Sequence, residues 1–193
     1  MMHLPSRAIT WCAIVFCAVV PTIGSAQSAA SSPSVLEQAL KQPDARVTSS
    51  KQIGRFDDGE SHAVFTVLVV SDSTRQDRKT RGVRIDFSGS GWKRVVYLDD
   101  HHLEPLKKVL DQLTVDIERL LPRFTARTDE GYLGSCEFRD HPDLYPLQMD
   151  YLHSGWRSPA LRFTSPARVL FHGRGPADLS AILGAAIEYL LST

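Results

Sequence analysis

Net charge, disulfides and a membrane-length apolar run are all missing from this chain of 193 residues. Its 22 basic side chains are balanced by 22 acidic ones. Such a chain has no electrostatic footprint for duplex nucleic acid or an anionic membrane. Of the three cysteines, Cys12 and Cys17 fall in an N-terminal leader, which leaves Cys136 alone. One thiol cannot close an internal bridge, so the fold must rest on its hydrophobic core. No stretch reaches the roughly 20 apolar residues that a bilayer-crossing helix needs. Catalytic signatures are lacking too: there is no Gly-x-Ser-x-Gly elbow, His-Glu-x-x-His, Walker-type loop or Cys-x-x-Cys.

What is present begins with an address. Arg7 precedes an apolar run from Ala8 to Val20, and Pro21 leads to Gly24-Ser25-Ala26. A short basic region, an apolar core and small residues before a cut are the pattern of a secretory signal peptide over residues 1–26. Trp11 and Phe16 stand before the two leader cysteines, where a lipoprotein signal wants a small residue. The expected mature chain therefore starts at Gln27, carries a formal charge of −1 and works in the periplasm or outside the cell. Its 167 residues suffice for a core without staples.

Residues 27–45 read as a flexible leader with a short helix capped by Ser34 and running to Leu40. Residues 46–193 read as one α+β domain. Val47 to Ile53 is a polar, edge-like strand. Ala63 to Val70 is apolar on both faces, which predicts a central strand covered on both sides by a second sheet layer or a partner subunit. Self-association is an expectation on that ground. Val83, Ile85 and Phe87 alternate onto one face, and a Gly-Ser turn leads to a strand over Lys93–Leu98. Leucines at three- and four-residue steps predict a sheet-packing helix over 103–121. The second half repeats the plan. Candidate strands lie at Tyr132–Phe138, Leu147–Tyr151, Leu161–Phe163 and Arg168–His172, and a helix follows over 176–191.

The fold class is thus α+β: antiparallel sheet with two sheet-packing helices. It can be divided into two four-strand-plus-helix units, 46–121 and 122–193. Val83–Trp92 and Leu147–Trp156 match around Ser-Gly-Trp at an offset of 64, whereas the helices are about 74 apart, so the two registers disagree. In element order, residues 46–191 resemble the strand-rich repeats of the Whirly and PUR single-strand nucleic-acid binders. That resemblance implies a fold alone, since no motif residues accompany it.

Polar clusters supply the candidate chemistry. Arg75, Arg78, Lys79 and Arg81 crowd one predicted hairpin tip and suit an anionic surface or ligand. Trp92 and Trp156 each follow Ser-Gly, where an indole either stacks on a ligand or folds back over the core. Asp99-Asp100-His101-His102 pairs imidazoles with carboxylates. On a helix, however, adjacent histidines point about 100° apart, so the aspartates are read as helix-start residues and no metal or other cofactor is expected. His141-Pro142-Asp143 reads as a turn, and Cys136 as a small buried hydrophobe. These features favour an exported, non-catalytic module that binds a protein or cell-envelope component. The alternative is an enzyme or metal-binding protein using dispersed residues such as His102, His141, His153 and Cys136.

Overall fold

A computed structural model describes residues 33–72, 79–124, 147–154, 157–165 and 167–193. Two antiparallel sheets and three helices follow in the order α1 (Val35–Leu40), β1 (Ala45–Asp57), β2 (Ser61–Asp72), β3 (Lys79–Gly89), β4 (Trp92–Asp99), α2 (Asp100–Phe124), β5 (Gln148–Ser154), β6 (Arg157–Ser165), β7 (Val169–His172) and α3 (Pro176–Leu191). The first sheet is a meander in the order β1-β2-β3-β4, and the second has the order β5-β6-β7. The α+β class is as expected. The candidate strand at 132–138 lies outside the described residues.

Period-two alternation sorts the first sheet's side chains. Ala63, Phe65, Val67 and Val69 of β2, with Val83, Ile85 and Phe87 of β3, point into one core. α3 packs over β1, β2 and β3, α2 over β3 and β4, and the two helices lie side by side. Leu103, Leu106 and Leu110 of α2 join Leu179, Leu183, Ala186 and Leu190 of α3 in that core. Both stripes recur at three- and four-residue steps, as a helix face on a sheet requires. At the far end the small sheet takes over. Phe65, Phe56, Phe171, Phe163 and Phe87 form a continuous run of ring contacts, with centroids 5.0 to 5.9 Å apart, that joins the two sheets.

The outer face of β2 corrects one expectation. Leu68 and Val70 are buried there by Leu36 of α1, with Ala39, Leu40, Ala45 and Tyr97 around them. Over Leu68 and Val70 the cover is the chain's own six-residue helix. It extends only over the end of the strand; Val64 and Thr66, further along, are half-buried. No helix among the described residues is long and apolar enough to cross a membrane.

Candidate functional site

The predicted basic patch falls partly among the described residues. Arg75, Arg78 and Trp156 lie outside the described residues. Lys79 and Arg81, on the core-facing side of β3, reach the end of α3. Lys79 Nζ donates to the Thr193 carbonyl at 3.2 Å, and Arg81 Nη1 donates to the Leu190 carbonyl at 3.3 Å. Arg81 Nε also lies 3.4 Å from Asp100 Oδ2. The last turn of α3 has no basic residue of its own. Its orphan carbonyls and negative dipole end take cations from the strand beneath.

Trp92 covers the core. It sits opposite Gly89 in the β3–β4 hairpin, and a Cβ on Gly89 would fall 2.4 Å from the indole Nε1. The ring is half-buried against the main core, so hydrogen at that position is what lets the indole lie flat.

Beyond the last turn of α3 a groove opens on the inner face of the first sheet. Arg46, Ser71 and Lys79 stand side by side there across β1, β2 and β3. With Thr48, Ser49, Val69, Asp72 and Thr193 they line a half-open groove of about 740 Å³. Lys79 is engaged with Thr193. Arg46 is exposed and has no ion-pair partner among the described residues. No local sequence signature points to this groove, because three strands and a helix end each contribute one or two residues. The alternation of β1 around Arg46 is too polar to mark a face.

The Asp-Asp-His-His segment also departs from expectation. Asp99 is the last residue of β4, and its carboxylate reaches a helix far upstream in sequence. Oδ1 accepts from the Leu36 N–H at 2.7 Å and Oδ2 from the Val35 N–H at 2.9 Å. Asp99 thus holds the start of α1, alongside Ser34, whose Oγ accepts from the Glu37 N–H at 3.0 Å. Only Asp100 serves the first turn of α2. The two imidazoles do not diverge: their ring centroids are 3.9 Å apart at an interplanar angle of 44°. Rotation by 100° separates Cα–Cβ directions, but two rotatable side-chain torsions bring the rings together. His141, Asp143 and Cys136 lie outside the described residues, as does the His153 side chain.

Other charged groups serve structure. In the β1–β2 hairpin the Gly59 N–H, followed by the charges of His62 and Arg55, holds the Asp57 carboxyl below the usual carboxylate range. Asp150 and Arg162 are cross-strand partners in the small sheet, with Arg162 Nε 2.9 Å from Asp150 Oδ2. Comparison with known protein families, curated proteins and solved structures returns no match.

Proposed function

We propose that the protein is an exported, non-catalytic module that binds an anionic cell-envelope component in the groove beyond α3. Export to the periplasm or beyond rests on the signal pattern of residues 1–26. The observation that carries the binding reading is Arg46, a cation without an ion-pair partner among the described residues, set beside Ser71 and Lys79. Four hydroxyls line the same groove; Thr48 and Thr193 donate to backbone carbonyls and Ser49 is bonded to Tyr189, so it is the Ser71 hydroxyl that suits an oxygen of a phosphate or carboxylate. The groove's volume of about 740 Å³ falls in the range of small-ligand sites. A protein partner ordinarily needs about 800 Å² on each side, so a headgroup-sized anion is the better fit.

Cations near an anionic surface contribute about 1 kcal/mol each, so Arg46→Ala should weaken binding roughly fivefold. The test is co-sedimentation with phosphatidylglycerol-containing vesicles and with phosphatidylcholine vesicles, at low and high salt. Retention on the anionic vesicles alone, reduced by salt and by Arg46→Ala, is the expected result. No retention at low salt, or equal retention of the variant, refutes the assignment. Export is tested separately: the extracytoplasmic protein should begin at Gln27.

A further inference from the structure

We infer that Asp99, His101 and His102 form a binding site for a divalent transition metal ion of the zinc class, separate from the groove beyond α3. One ligand atom from each residue lies within 4.8 Å of the other two. The three differ in freedom in a way that suits capture of an ion. Asp99 is only 4% exposed, and its carboxylate is clamped by the Val35 and Leu36 N–H groups. Each of its oxygens keeps a second lone pair for a metal. His102 is half-buried at the start of α2, and His101 beside it is exposed. Two ligands are thus set by the fold, and one is an arm that can swing.

Geometry sets what must move. Zinc takes nitrogen ligands at about 2.0–2.1 Å, which places neighbouring donors of a tetrahedron a little over 3 Å apart. Closing from the observed separations needs a shift on the order of 1.5 Å at most, within the side-chain torsions of an exposed histidine. The fourth position stays open to water or to a donor from another molecule.

Electrostatics select the class of ion. Asp99 and Asp100 are negative, but the N-terminal ends of α1 and α2 bring positive dipole ends to the same place. Arg81 adds a full positive charge beside Asp100. The local field therefore offers little to a hard cation such as magnesium or calcium, which depends on oxygen ligands and negative charge. Affinity must come from the two imidazole nitrogens. That donor set, with one carboxylate, suits zinc, cobalt, nickel or copper.

The test is zinc titration of the purified protein against a chromophoric chelator, with cobalt absorption as a second readout. One equivalent should bind, and magnesium and calcium should not compete. His101→Ala changes an exposed side chain, so it keeps the fold; it should lower zinc affinity by at least about tenfold. His62→Ala, at the unrelated Asp57 pair, should leave affinity unchanged. Absence of binding, or equal affinity in His101→Ala and the unmodified chain, overturns the site. Neither outcome bears on vesicle binding through Arg46.

Discussion

Asp99→Ala removes the acceptor for two backbone donors, and its effect can be worked out from what surrounds each. The Leu36 N–H is buried and would lose its partner without replacement, whereas Val35 is 56% exposed and water can serve its N–H. A hydrogen bond to a charged group is worth about 1.5–3 kcal/mol net, so the buried donor sits at the upper end and the other near the lower. The sum, about 4 kcal/mol, exceeds what α1 gains by docking. Its one fully buried side chain, Leu36, contributes about 1.5–3 kcal/mol. A six-residue helix has no stability of its own. The variant should therefore release α1 rather than bear the full loss, and global stability should drop by about 2–3 kcal/mol, capped by the Leu36 contribution. Hydrogen exchange should rise to near-unprotected rates over residues 35–40, with a smaller rise at Leu68 and Val70. Protection over 83–87 should fall only as far as global stability does. Asp99→Asn, which keeps one carbonyl oxygen, should show about half the effect. Unchanged exchange over 35–40 in Asp99→Ala would sink this reasoning, because packing by Leu36 alone would then be holding the helix.

Three other perturbations test the remaining supports. Phe171→Ala removes the ring that touches both Phe56 and Phe163, with centroids at 5.6 and 5.9 Å; chemical denaturation should show a loss of about 3–5 kcal/mol, and a loss near that of a surface residue would mean the ring run does not join the sheets. Gly54→Val would set a Cβ 2.6 Å from Ile182 Cδ1; it should destabilise by about 1–3 kcal/mol, and Ile182→Ala should restore most of the loss. Asp111 links the two long helices: Lys107 first, then the Ser180 hydroxyl, holds its carboxyl below the usual carboxylate range. Because the folded value lies below the unfolded one, this contribution is present above about pH 4 and disappears as pH falls through the folded value. Ser180→Ala should raise the Asp111 midpoint, read by NMR titration, and an unmoved midpoint would show that the inter-helix bond is absent in solution.

Much of this architecture is legible in the sequence, for reasons visible in particular residues. Val83, Ile85 and Phe87 are all fully buried, because strict alternation leaves one choice of face. The leucines of α2 and the Leu179-Leu183-Ala186-Leu190 stripe of α3 announce themselves equally well. Boundaries were less clear: β1 runs to Asp57 and α2 to Phe124, past the patterned positions. The cover on the outer face of β2 was invisible, since a six-residue helix with one buried leucine carries no periodic signal. Side-chain purposes were least legible. Nothing near Asp99 in sequence indicates that its carboxylate serves residues 35 and 36, and nothing near Lys79 points to Thr193.

Those long-range uses narrow the search for a ligand site by subtraction. A charged side chain drawn to a helix end already has its electrostatic energy satisfied, and a ligand competing for it must first break that contact. Lys79 and Arg81 serve the end of α3, and Asp178 accepts from the Gly175 N–H at its start at 2.8 Å. Lys107 is held by Asp111 at 2.7 Å, and Arg84 and Lys93 share Asp86 at 2.6 and 3.4 Å. Among the described residues Arg46, Lys108 and Arg168 stand outside every such pairing, and of these three Arg46 alone lines the groove. An incoming anion would gain its attraction there without displacing a carboxylate or carbonyl of any described residue, which is why the weight of the binding proposal falls on that residue. Swapping the order of dependence gives a sharp expectation: Arg46→Ala should alter vesicle retention without altering stability, whereas Lys79→Ala should loosen the last turn of α3 as well. If both variants lose stability equally, Arg46 has a structural partner in solution and the argument by subtraction fails.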